Sequence, residues 1–183
     1  KHLDQLKMLL ELPGKARRDN LTAKLVMPAK LALTSPFGPP TGLVAKTLPG
    51  LVVDDQSADR FGPWTNGTGL KGYVGFGYRY ASPDSGAKIV FDAKVKKTAN
   101  YDVRISYQPH ENRGSEVPVQ VSINGQNRAF QIDMKQGPTQ PHGFHSLGIF
   151  SIKAESVCQI TIGTTKAGGI VHADAIQLVE LKK

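Results

Sequence analysis

The chain has 183 residues, of which 39% are hydrophobic and 21% charged, enough apolar material for one core of ordinary size and too much for wholesale disorder. No apolar run approaches the ~18–20 residues that a membrane-crossing helix needs, so a membrane partner is not expected. The formal charge of +8 raises a nucleic-acid reading, but eight basic residues sit in the first 50 positions against only three acids. The remaining 133 residues hold 15 basic and 12 acidic side chains, too balanced for the clustered phosphate contacts of a duplex binder, and no nucleic-acid partner is expected.

In chain order, Asp4 to Leu12 reads as a short helix, with Leu3, Leu6 and Leu10 at helical spacing and Pro13-Gly14 as its stop. Lys1 to Leu12 mixes charges with leucines and lacks a signal-peptide core, so an exported chain would carry its signal upstream. The stretch Leu21 to Leu33 is apolar but broken by Pro28, and Ser35 to Gly42 (SPFGPPTG) reads as an extended linker. Residues 1–48 are therefore expected to form a helical and extended appendage, a connector to a neighbouring domain. Residues 49–183 are expected to form the folded domain.

From Leu51 the period is two. A first strand is expected at LVVD, and YVGFGYRY (Tyr73 to Tyr80) reads as a glycine-rich second. Ile89, Phe91, Ala93 and Val95 alternate with Lys88, Asp92 and Lys94; Tyr101, Val103, Ile105 and Tyr107 alternate with Asp102, Arg104 and Ser106. Val117, Val119, Val121 and Ile123 continue the pattern up to Asn124-Gly125, a two-residue hairpin signal, because a type I′ turn needs positive φ at both central positions. The return strand passes Arg128, Phe130 and Ile132, and further strands are expected at Leu147–Ile152, Val157–Ile162 and Ile170–Val179. Eight or nine half-buried strands joined by Gly, Pro and Asn turns indicate an all-β chain, a jelly-roll-like antiparallel β-sandwich. The absence of βαβ alternation disfavours a dinucleotide-binding enzyme.

Few residues assemble into reactive sets. Gly69 to Ala81 lacks both the GxxxxGK[ST] pattern and a following helix, so it is not a phosphate loop. Extrapolated parity puts Tyr73 and Arg79 on one face of that run, over a glycine floor, and Phe76, Tyr78 and Tyr80 on the other. A flat tyrosine or the single tryptophan, Trp64, suits the apolar C–H face of a pyranose; the competing and heavier-weighted reading of Tyr73 and Trp64 is ordinary structural packing. His142 and His145 are two ligands at most, short of the three or four that zinc requires, and His172 reads as a partly exposed strand histidine. Cys158, the only cysteine, reads as a buried structural thiol. Asp54-Asp55 closes the first strand and Asp174 opens the last. If those strands pair, the three carboxylates could surround a structural calcium; alternatively they accept backbone N–H bonds in turns. No other cofactor is expected, and spacing selects no pair of catalytic carboxylates.

Five blocks carry a family resemblance: Leu51 to Asp55, GYVGFGYRYA, SYQPHENRGSEVPVQV (Ser106 to Val121), FHSLGIFSI (Phe144 to Ile152) and VHADAIQLVE (Val171 to Glu180). In order and spacing they resemble the golvesin / xanthan lyase C-terminal domain, across residues 50–181. The resemblance implies a jelly-roll-like module attached to larger secreted proteins, often beside oxidoreductase-like or polysaccharide-degrading parts. It implies that His110, Asn112 and Arg113 fix a loop between two strands; Arg113 could instead clamp an acidic sugar. His172 stands where the family usually has an aliphatic residue and inherits no role. The expected function is a non-catalytic carbohydrate-binding accessory module of a larger secreted, periplasmic or envelope protein, binding polysaccharide through Trp64, Tyr73, Arg79, His110, Asn112 and Arg113. The alternative is a spacer that docks on other domains of its own polypeptide and has no glycan affinity.

Overall fold

A strand whose apolar residues fall at every second position buries one face, and two such sheets satisfy each other. The computed structural model describes residues 41–182, and its strands are β1 (Leu51–Asp54), β2 (Asp59–Phe61), β3 (Thr65–Gly67), β4 (Tyr78–Ala81), β5 (Lys88–Lys94), β6 (Ala99–Ser106), β7 (Val117–Ile123), β8 (Gln126–Ile132), β9 (Phe144–Ile152), β10 (Val157–Gly163), β11 (Val171–Ala173) and β12 (Ala175–Glu180). The expected helix at Asp4–Leu12 and the chain up to residue 40 lie outside the described residues.

A four-stranded sheet, β1-β12-β6-β9, and a five-stranded sheet, β2-β5-β10-β7-β8, make the antiparallel jelly-roll-like sandwich. Ile89 and Phe91 of β5, Val103 and Ile105 of β6, Val117, Val119 and Val121 of β7, Ile160 and Ile162 of β10, and Ile176 and Leu178 of β12 are all buried in one cluster. Each such side chain contributes about 1.5–3 kcal/mol by leaving water. The intervening Lys88, Asp92 and Lys94 are exposed. Cys158 is buried in the apolar cluster, and burial pushes its thiol up to about 12, so it packs as a small apolar group. Asn124 and Gly125 take φ of 51° and 78° and close the β7–β8 hairpin.

Two departures from simple alternation matter. The run expected to be one strand at Ile170–Val179 divides at Asp174: β11 pairs with β4, whereas β12 pairs with β1 and β6. Of YVGFGYRY, only the part from Tyr78 is strand, because Gly72 and Gly75 take φ of 93° and 70° and interrupt the pleat. β4 joins β11 and β3 in a small third sheet, β11-β4-β3. The three-residue strands β2, β3 and β11 account for the excess over eight or nine. Ahead of β1, Leu43 forms a parallel bridge with Val74, and Leu48 is buried with Val74, Phe144 and Ala175 in a second small cluster. No helix among the described residues is long and apolar enough to cross a membrane.

The edge strands β8 and β9 belong to different main sheets, and Arg128 closes the gap between them. Its guanidinium carbon lies 5.0 Å from the Phe130 ring centre and 5.5 Å from that of Phe150. The Arg128→Ala variant is expected to lose about 1 kcal/mol of stability, from the cation–π contacts and the aliphatic stem together. Urea unfolding checks this; an unchanged midpoint would make the stacking incidental.

Candidate functional site

The small sheet carries the site. Register places Thr65 and His172 opposite Tyr80 and Gly67 opposite Tyr78, so these residues share one face of the sheet. Tyr78 lies flat across β3, since a Cβ on Gly67 would collide with its ring, and Leu70 N–H donates to its hydroxyl at 3.3 Å. His172 packs beside it, ring centres 4.1 Å apart. The second wall is the loop after β6. Arg113 forms a parallel bridge with Ile170; Ile170 N–H donates to Asn112 O, and Gly114 N–H to Ile170 O, both at 3.0 Å. Between the walls lies a cleft of about 550 Å³ lined by Asn66, Gly67, Gly69 and Leu70, by Tyr78 and Tyr80, and by His110, Asn112, Arg113 and Ile170.

Its polar groups are fixed in advance. Asn112 Oδ1 accepts from Arg113 Nη1 at 2.8 Å and lies 2.9 Å from His110 Nδ1. Arg113 Nε donates to Gln108 O at 3.3 Å, and Gln108 N–H donates to His172 Nδ1 at 2.9 Å. Burial and the nearby Arg113 charge push His172 well below the usual histidine range, so it is a neutral buried side chain and not a partly exposed one. Its Nε2 has no hydrogen-bond partner among the described residues.

The structure brings His110, Asn112 and Arg113 together at the cleft but sets the other expected ligand residues apart. Tyr73 is 3% exposed: its ring lies under the chain at Gly42 and its hydroxyl is 2.7 Å from Thr41 Oγ1, so it offers no platform. Arg79 projects from the opposite face of β4, where its Nε donates to Asp55. Trp64 packs against the main core and donates its Nε1 proton to Phe61 O and Lys88 O at 3.2 and 3.1 Å, which makes it a structural plug. Sequence reasoning missed Tyr78, Tyr80, Asn66 and Leu70 as cleft residues. The signal for the tyrosines is their shared parity, on the face that the sequence reads as core.

β1 does pair with β12, and Asp54, Asp55 and Asp174 come close together, but they form no metal-ligand group among the described residues. Instead Asp54 Oδ1 accepts from Gln56 N–H at 3.1 Å, Asp55 holds Arg79, and Asp174 accepts from Val74 N–H and Ser106 Oγ. Protein donors thus reach each of these three carboxylates.

Among solved structures, the chain is similar to Paenibacillus xanthan lyase, with a TM-score of 0.65 and 25% identity over 72% of this chain and 13% of that one. It is also similar in fold to a CBM35 from Paenibacillus barcinonensis, with a TM-score of 0.51 and 15% identity over 72% of this chain and 100% of that one. A family 35 carbohydrate binding module from Clostridium thermocellum gives a TM-score of 0.51 and 12% identity over 72% of this chain and 98% of that one. No curated protein matches the chain in sequence. The golvesin C-terminal domain model matches residues 51–180, the whole sandwich from β1 to the end of β12, and the chain belongs to that family.

Proposed function

We propose that the domain is a non-catalytic carbohydrate-binding module that holds a larger extracellular protein on polysaccharide through the Tyr78–Tyr80 cleft. The observation that carries this is the half-buried Tyr80 ring facing a polar fringe of Asn66, His110 and Asn112 across one concavity, beside the buried Tyr78. An aromatic ring takes the apolar face of a pyranose while amide and imidazole groups take its hydroxyls. Among the described residues no aspartate or glutamate lines the cleft, so they supply no carboxylate pair of the kind on which glycoside hydrolysis depends. The likeness to carbohydrate binding modules that are nearly the whole of their own chains supports a binding role. That the matching segment is 13% of the xanthan lyase supports an appended position.

A shallow site of this size gives affinities of roughly millimolar to micromolar. Titration calorimetry against a panel of neutral and acidic polysaccharides tests the reading. The Tyr80→Ala variant is expected to bind at least ~10-fold more weakly, since stacking on one aromatic contributes more than 1 kcal/mol, while its half-buried position leaves folding intact. Binding to no member of the panel, or unchanged affinity in Tyr80→Ala, would leave the spacer role in its place.

A further inference from the structure

Every arginine that this sandwich half-buries has a carboxylate beside it, except one. Arg79 and Arg104, 15% and 14% exposed, pair with Asp55 and Asp102. Arg113 is buried more deeply, at 5%, and has no acidic partner among the described residues. Its hydrogen bonds go to neutral acceptors, Gln108 O and Asn112 Oδ1. These use two of the five N–H donors of a guanidinium, which stays charged at any pH where the fold exists. Burial lowers its pKa from the ordinary arginine value, the direction expected of a cation removed from water without an anion.

The surroundings offer no substitute. Among the described residues the cleft lining contains no carboxylate, Glu111 in the same loop is exposed and in no ion pair, and His172 behind the guanidinium is neutral. A desolvated cation held rigidly at the wall of an open cleft is costly to the empty domain and favourable once an anion arrives. A planar carboxylate fits the guanidinium fork with two parallel hydrogen bonds, and the Gln108 and Asn112 contacts already fix the orientation of that fork.

We propose that the cleft selects acidic glycans, with Arg113 receiving the carboxylate of a uronic acid residue while the half-buried Tyr80 takes the face of a sugar ring. The proposal rests on the carbohydrate-binding reading and sharpens it to one substrate class.

The test is calorimetry on the full chain with a glucuronic acid-bearing oligosaccharide and the same oligosaccharide after carboxyl reduction, which turns each glucuronic acid into glucose without altering linkages. The acidic form is expected to bind about 10- to 100-fold more tightly, the range of one charge-assisted hydrogen-bonded pair. Arg113→Gln is expected to bring the two forms within about threefold of each other by weakening only the acidic one, and Arg113→Lys to recover part of the difference. Should Arg113→Gln fail to fold, the comparison of the two ligands on the unaltered protein still decides. Equal affinity for both forms would overturn the acidic selectivity while leaving the carbohydrate reading in place. Binding to neither form, nor to the wider panel, would overturn both.

Discussion

The Asp174→Ala variant is expected to lose about 3 kcal/mol of stability, and Asp174→Asn to recover most of that at pH 7. Asp174 is fully buried at the point where the chain leaves the small sheet for the main one. Its carboxyl group accepts from Val74 N–H at 3.1 and 3.2 Å and from Ser106 Oγ at 2.7 Å, so it ties the loop before β4 to β6. Its own N–H donates to Ser106 O, and its carbonyl accepts from Asp55 N–H. Alanine would strand two buried donors at about 1–3 kcal/mol each, whereas asparagine keeps an acceptor for both.

The same residue gives a pH signature of definite sign. Burial raises the Asp174 carboxyl from 3.8 to about 8, against the opposing hydrogen bonds from Ser106 and Val74. The folded state therefore holds a proton that the unfolded chain releases near pH 4. The contribution of this group to stability is complete below about pH 4, declines as pH rises, and is gone above about pH 8. Asp55 is shifted in the same direction, by burial first and then by its neighbour Asp54, with the Arg79 ion pair opposing. His172 acts oppositely: lowered well below 6.5, it makes the fold lose stability as pH falls through the unfolded histidine range. Urea midpoints at pH 5, 7 and 9 separate these groups. Asp174→Asn should show a shallower decline between pH 5 and 9 than the parent, with the Asp55 part remaining. Parallel curves for the two would mean that Asp174 is ionised in the fold.

The sandwich was legible because its signals are local. Alternation in β5, β6 and β7 needs only a strand and its own side chains, and Asn124-Gly125 reports its turn from two residues. The first-to-last pairing of β1 with β12 was likewise visible as a condition on the two aspartate-bearing ends. The site was less legible because its geometry depends on pairs far apart in the chain. Arg79 finds Asp55 across 24 positions, and Val74 finds Asp174 across 100. Neither partner leaves a mark near the other in sequence. Parity misled at YVGFGYRY because it was carried through Gly75, whose positive φ changes which side the next residues face. Beyond that break the i, i+2 relation of Tyr78 and Tyr80 holds, and both line the cleft. Asp174 illustrates the converse: read as a candidate calcium ligand opening the last strand, it accepts from the Val74 N–H ahead of β4 and the Ser106 hydroxyl of β6, and the strand divides around it.

Adding a single methyl group at Gly169 is expected to affect stability and ligand binding together. A Cβ there would lie 2.5 Å from Arg113 O, 2.6 Å from Arg113 C and 2.8 Å from Gly114 N, all backbone atoms that cannot rotate aside. Gly114 is hemmed in from the same side, since its own Cβ would collide with Ala167 O, so the two segments meet glycine to glycine. This contact seats the Asn112–Ile170 and Gly114–Ile170 hydrogen bonds, and through them one wall of the cleft. Overpacking of this kind costs about 2–3 kcal/mol, and relief can come only by moving the Arg113 backbone away from β11 and the tyrosines. Gly169→Ala should therefore lower the unfolding midpoint and, in the fraction that stays folded, weaken binding of the oligosaccharide preferred by the parent at least ~10-fold. Gly137→Ala is the matched control, because nothing lies within 4 Å of its Cβ position. A folded Gly169→Ala protein that binds with parental affinity would show that the cleft wall is held by the side chains of residues 108–113 and not by this backbone contact.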